Sequence, residues 1–226
     1  GNLDTVWKGL FGDESQFNIA VRIKGEKAKS LIAQLDALHS FMKSVKSSDS
    51  LEEIAMQTPD LVLGGRGSGS EGKILSFIQN AQGELWISAP YLAGKAKEVR
   101  PLVEAIKRLE AKGQNVHLIA QNPRGVSAGG QPLLSIELQQ ELMTAGVTIY
   151  TSPYTSKELA HAKILADDKR ALVTSHNLFS GNSMNQVVEI GIILEGKEYA
   201  DAVKQAALRF MIKNNYANLE DNPEYS

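Results

Sequence analysis

His161, Lys163, Ser175, Asn177 and Glu189 are polar side chains set at short intervals along the apolar stretch from Leu159 to Leu194. In an extended segment alternate side chains share a face, so His161 and Lys163 are expected together, opposite Ala160, Ala162, Ile164 and Ala166. On the last strand Glu189, Gly191 and Ile193 share a face, with Gly191 expected to clear space beside the carboxylate. A carboxylate on so apolar a strand is costly to bury alone, and pairing it with an imidazole removes that cost. These residue types fit phosphodiester chemistry. Such a reaction needs a nucleophile, positive charge for the equatorial oxygens, and a proton for the leaving alkoxide. A neutral His161 attacks phosphorus if a carboxylate holds its other ring nitrogen, and Glu189 is the candidate for that role. Lys163 and Asn177 would donate to the phosphoryl oxygens, with Ser175 supporting either the histidine or the phosphate.

The surrounding chain supplies elements that could position such a set. From residue 71 onward, segments with helical spacing alternate with short apolar runs: helices over 71–81, 98–112 and 133–145, and strands over 84–89, 115–121 and 147–151. Gly113 and Gly146 fall just past two of the helix ends. The rhythm predicts an α/β fold, a mixed sheet flanked by helices on both faces. It then changes. Strands over 159–166, 171–175 and 187–194 leave no room for a helix between the first two, so a hairpin is expected, turned at Asp167, Asp168 and Lys169. An amphipathic helix over 197–214 closes the domain.

Ahead of this lies a helical N-terminal region. Residues 27–45 place Leu31, Leu35, Leu38, Phe41, Met42 and Val45 at helical spacing, and a short helix follows over 51–57. Between the two regions, LVLGGRGSGSEGK (61–73) satisfies two glycine-rich phosphate-binding patterns, but neither finds its partners. Ile74 stands where a P-loop needs Ser or Thr, and the next strand ends in Ala89, Pro90 and Tyr91 rather than an acidic residue. The stretch is expected to be a flexible linker. The resulting division is a helical region over 1–64, a catalytic domain over 65–216, and a flexible tail over 217–226.

Composition limits the function classes. A hydrophobic share of 42% and a charged share of 22% are those of a globular protein, with no apolar run long enough to cross a bilayer and no visible signal peptide. With no cysteine, disulfides, thiolate metal sites and a cysteine nucleophile are all ruled out, and the expected location is cytoplasmic. A net charge of −2 argues against a broad basic surface but leaves room for a local basic groove, to which Arg66, Lys73, Lys95, Lys97, Arg100 and Arg124 could contribute. Residues 122–130 are the candidate substrate lip.

Taken together, His161-Ala-Lys163-x4-Asp168, Ser175-x-Asn177 and Glu189 resemble the HxK(x)4D motif, the GSxN block and the downstream glutamate of the phospholipase D superfamily. The resemblance spans residues 65–215, one repeat of that fold. Two departures stand out. Thr174 occupies the usual glycine position, and the interval from Asp168 to the serine is one residue short, so either Asp167 or Asp168 is the motif aspartate. His176, where the family usually has a small residue, is expected to be an exposed loop histidine. The resemblance implies a covalent phosphohistidine intermediate, with His161, Lys163, Asp168 and Glu189 as catalytic residues, Lys163, Ser175 and Asn177 as phosphate ligands, and neither metal nor cofactor.

It also implies a second histidine as general acid, which other members take from a second motif copy. None of His39, His117 and His176 has a lysine two residues on, and His117 reads as structural. A homodimer placing two copies of His161 across one site would supply the missing group. Another portion of a longer natural protein, or a different partner, would also do so. Members with a single short motif resemble bacterial endonucleases, so the expected substrate is nucleic acid, DNA first. The alternatives are a phospholipase or phosphatidyl transferase, and a binding or assembly module without turnover.

Overall fold

The computed structural model describes residues 16–17, 22–44, 50–65, 67–92, 99–121, 135–153, 159–179 and 189–221. Strand β1 is Gln16–Phe17, followed by α1 (Glu26–Met42), α2 (Glu52–Gln57), β2 (Leu61–Leu63), α3 (Ser70–Gln79), β3 (Leu85–Ser88) and α4 (Arg100–Ala111). Next come β4 (Val116–Ile119), α5 (Ile136–Thr144), β5 (Thr148–Thr151), β6 (Leu159–Ala160), β7 (Lys163–Ala166), β8 (Arg170–Thr174) and β9 (Ile190–Glu195). Helix α6 (Lys197–Lys213) and strand β10 (Ala217–Asn218) complete the order, with a short 3-10 turn at Leu219–Asp221.

One sheet runs β10-β5-β4-β3-β7-β8-β9-β2. Strands β3, β4 and β5 are parallel, whereas β7, β8, β9 and β2 each pair antiparallel with their neighbour. The fold is the expected α/β class with a mixed sheet and helices on both faces. On one face, Ile74, Phe77 and Ile78 of α3, Leu102, Val103, Ile106 and Leu109 of α4, and Leu138 and Leu142 of α5 pack on strand residues including Ile87, Leu118, Leu165 and Leu172. The opposite face is covered by Val203, Ala207, Phe210 and Met211 of α6, packed on Trp86, Ile119, Ile164, Ala166 and Ala171. Hydrophobic burial of this kind stabilises by roughly 25 cal/mol per Å2, so the two layers fix which way each strand faces. Among the described residues no helix is long and apolar enough to cross a membrane.

Several local expectations change. The glycine-rich stretch is a packed turn: Gly64 and Gly65 are buried, as are the Ser68 and Ser70 side chains. Gly65 has φ +114°, and a Cβ there would lie 2.8 Å from Leu51 Cδ1, so backbone freedom is used for close packing rather than for a loose tether. The stretch assigned to the helical region also supplies β2, an edge strand of the main sheet. Similarly, Ala217–Asn218, expected in a flexible tail, pairs with β5, and Leu219 is buried. In α1, Leu31, Gln34 and Leu38 face inward while Leu35 and Met42 are exposed, a face rotated from the one the leucine spacing suggested.

The predicted hairpin joins β7 and β8. Its turn is built by Asp167, whose carboxylate is fully buried and accepts from the backbone N–H groups of Lys169 (2.7 Å) and Arg170 (2.8 Å). Such an acidic side chain closing on the backbone two and three residues ahead is what stabilises a tight turn here.

Candidate active site

The register sets where the polar residues meet. Ser88, last in β3, pairs with Ile164 of the antiparallel β7, so the start of β7 lies where the parallel strands finish. Lys163 pairs with Thr174 and Thr174 with Gly191, which brings the beginning of β7, the end of β8 and the beginning of β9 to that same edge. In sheets of this kind ligands bind beyond the carboxyl ends of the parallel strands. There a cleft of about 460 Å3 opens, lined by His161, Lys163, Thr174 and Ser175 over an apolar floor of Ala162, Ile164, Val173, Ile190 and Ile192.

The expected single strand over 159–166 is interrupted. Residues His161 and Ala162 lie between β6 and β7, outside the ladder. Lys163 is 8% exposed, and its ammonium sits 3.0 Å from His161 Nε2 and 3.2 Å from Nδ1, while donating to the His161 carbonyl at 2.8 Å. The ammonium thus lies within about 3 Å of both ring nitrogens of His161. Burial, then the Lys163 charge, push the imidazole pKa below its usual value and favour the neutral, nucleophilic ring. Burial lowers the Lys163 ammonium to about 8, opposed by the Glu189 charge, so it stays largely protonated at neutral pH.

Glu189 takes a different partner from the one expected. Its carboxylate accepts from the Ser175 hydroxyl, which in turn accepts from the Ile190 N–H at 3.0 Å. Ser175 and Ile190 also share a backbone bond of 2.9 Å, and the Gly64 N–H donates to the Glu189 carbonyl at 2.7 Å. The described contacts thus tie Glu189 to Ser175 and, through its charge, to Lys163. Asn177 follows in the same turn and is half-buried.

Asp168, grouped with the catalytic residues on motif spacing, is not brought to the cleft. It sits five residues along from Lys163 in the β7–β8 turn, about 16 Å away at strand rise. There it is exposed and pairs with Lys204 at 2.5 Å. The buried Asp167 is the residue the turn depends on. Of the candidate basic loop residues, Lys73 donates to the Leu61 carbonyl (2.6 Å), and Arg100 makes two 2.8 Å bonds to Glu141. Both are engaged in packing. Arg66, Lys95, Lys97, Arg124 and the candidate lip over 122–130 lie outside the described residues.

Two features were not expected. His176 is fully buried rather than exposed, with Nδ1 2.5 Å from Thr174 Oγ1 and Nε2 without a partner among the described residues. Burial lowers its pKa to about 4. Gly191, expected to make room for Glu189, instead makes room for Thr174: a Cβ at 191 would lie 2.7 Å from Thr174 Oγ1 and 2.8 Å from its Cβ. The small residue missing at 174 is thus supplied across the ladder. His117 is structural, as expected, stacked on Trp86 at 4.3 Å and hydrogen-bonded to the Tyr150 hydroxyl at 3.3 Å.

The family model described as "Cardiolipin synthase, PLD-like domain" matches residues 74–211, which hold most of both core layers and every residue lining the cleft. The chain belongs to the phospholipase D superfamily. Among solved structures, this phospholipase D-like chain is similar to the phospholipase D family member Nuc from Salmonella typhimurium, at 19% identity and a TM-score of 0.52, covering 70% of this chain and 96% of that one. It is also similar to phosphatidylserine synthase from Haemophilus influenzae Rd KW20, at 16% identity and a TM-score of 0.51, over 73% of this chain and 42% of that one. At these identities the likeness concerns the fold. No curated protein matches the sequence. Members of this superfamily are phosphodiesterases, which makes phosphodiester chemistry the reaction class of the family to which the chain belongs.

Proposed function

We propose that this phospholipase D-like domain is a metal-independent phosphodiesterase, most suited to cleaving DNA, that works through a covalent phosphohistidine on His161 and acts as a dimer. The observation that carries the reading is the pairing of a half-buried imidazole with a buried ammonium at 3.0 Å in the cleft at the sheet's functional edge. In the first step a ring nitrogen of His161 forms a bond to phosphorus as the bond to the leaving oxygen breaks, and a general acid protonates that oxygen. Water then attacks phosphorus, giving its proton to the spent general acid, which now acts as base; the P–N bond breaks, and the phosphoryl product leaves with His161 and the acid both regenerated. Lys163 neutralises the charge on the phosphoryl oxygens, with Ser175 and Asn177 as further donors. Glu189 holds Ser175 and, by its charge, supports protonation of Lys163. Asp168 acts outside the reaction, through the hairpin turn and Lys204.

A second copy of His161 across a two-fold axis supplies the acid. The test is incubation of the protein with single- and double-stranded DNA in EDTA beside His161→Ala, with sedimentation at micromolar concentration. Cleavage that survives EDTA, disappears in the variant and comes from a dimer supports the reading, whereas a fully active monomer overturns the shared site. The apolar floor formed by Ile164, Val173, Ile190 and Ile192 favours a second reading, a phosphodiester with an apolar substituent, as in phospholipase or phosphatidyl transfer. Release of a lipid headgroup in the same EDTA assay, with no DNA cleavage, would select it. DNA retention without cleavage would select a binding module.

A further inference from the structure

The segment bearing His161 is unusual in how its backbone is held. Strand β7 enters the main sheet only at Lys163, and Leu159–Ala160 pair, among the described residues, with Gln16–Phe17 of β1 rather than with the main sheet. Among the described residues, His161 and Ala162 therefore lack the ladder of backbone bonds that fixes ordinary strand residues. Two side chains take its place. Ser88 Oγ donates to the Ala162 carbonyl at 2.9 Å, and Gln121 Nε2 donates to the Ala160 carbonyl at 3.2 Å. These are the carbonyls one residue to either side of His161.

Both donors are buried, Ser88 at 0% exposure as the last residue of β3 and Gln121 at 4% two residues past the end of the parallel β4. Two positions earlier in sequence stand Trp86 and Ile119, both in the apolar layer under α6, which also takes in Ala160 and Ala162. A hydroxyl and a carboxamide placed in such a layer cost free energy unless their hydrogen bonds are made, and packing alone would be served by apolar side chains. The bonds they make converge on the peptides around one residue. Neither side chain lines the cleft.

We infer that Ser88 and Gln121 are positioning residues that fix the backbone of the nucleophile, holding the His161 ring against Lys163 in an attack-ready placement. For its catalytic arm this rests on the proposed phosphodiesterase reading. Misplacing a reacting group by about 1 Å through a distant change can cost roughly 100-fold in rate while leaving substrate contacts intact. Lost positioning should therefore appear in kcat and not in KM.

The experiment uses Ser88→Ala, which removes one atom, Gln121→Met, which keeps the volume and loses the amide, and Ser88→Thr, which keeps the hydroxyl. Ring resonances of all histidines are followed by NMR titration on the full chain, beside thermal melts and DNA cleavage in EDTA. The expected result is that Ser88→Ala and Gln121→Met each shift the His161 ring signals and move its titration, while the exposed His39 stays put and Ser88→Thr resembles wild type. In the cleavage assay kcat falls about 10- to 100-fold with KM within about threefold. Unchanged His161 signals in both variants overturn the inference, as does a fall in kcat matched by an equal rise in KM. If the wild-type protein cleaves no phosphodiester, the reaction proposal fails and the NMR comparison alone decides the positioning role. The two variants alter different strands, so a folding failure in one leaves the other to decide.

Discussion

Replacing His176 with leucine should make the folded state less sensitive to acid. The wild-type imidazole is fully buried, and its pKa falls from the usual 6.5 to about 4. Above pH 6.5 the ring is neutral in both folded and unfolded chains and contributes no pH dependence. Between 6.5 and 4 the unfolded chain binds a proton that the folded one refuses, so stability is lost as pH falls through that window. Integrated from pH 7.5 to 4.5, this single group accounts for about 2–3 kcal/mol of lost stability, a large share of what holds a typical domain together. Carboxylates also contribute, among them Glu141, which Arg100 and Lys107 hold down at about 2, but they are common to both proteins and cancel in the difference. Urea unfolding at pH 7.5, 5.5 and 4.5, at one fixed protein concentration because the stability of the proposed dimer would depend on it, should show His176→Leu losing about 2–3 kcal/mol less than wild type. Equal losses in the two proteins would refute the burial argument for His176.

Other outcomes follow from the site. With His161 held below 6.5, and one copy required neutral while its twin is protonated, kcat/KM should peak below pH 6.5, decline roughly tenfold per unit above it, and steepen past about 8 as Lys163 deprotonates. A flat plateau from 6.5 to 8 would sink the shared pair of histidines. Lys163→Met should lower kcat about 100- to 1,000-fold while raising the His161 titration toward its ordinary value, read by kinetics and NMR together. Gly191→Ala, whose new methyl meets Thr174, should cost about 1–3 kcal/mol in urea unfolding, and the penalty should shrink when Thr174→Gly is added. Simple additivity of the two changes would contradict the packing described.

The alternating helices and strands, the hairpin and both faces of the sheet were legible in the sequence because each element shows a strong apolar period and its breaks carry glycine or aspartate. His161, Lys163 and Ser175 were legible as one site for a related reason: polar residues in apolar strands need partners, and the register supplies them. What escaped depends on contacts distant in sequence. The buried state of His176 follows from Thr174, the room for Thr174 comes from Gly191 on the neighbouring strand, and the break between β6 and β7 follows from β1 and from the side chains of Ser88 and Gln121. Motif spacing pointed to Asp168, yet Asp167 is the buried carboxylate, because one residue of slip in a turn exchanges an inward position for an outward one. Glycines 64–69 read as a tether because composition does not distinguish freedom from tight packing, and only the approach of Leu51 to Gly65 does.

In the proposed mechanism His161 carries the phosphoryl group. The most direct measurement is rapid acid-free quenching of the protein with a phosphodiester substrate in EDTA, followed by peptide mass spectrometry. A phosphoryl adduct on the peptide containing His161, stable to base, lost in acid and absent from His161→Ala, is the predicted result. Turnover by the His161→Ala protein, or an adduct on any other residue, would contradict it.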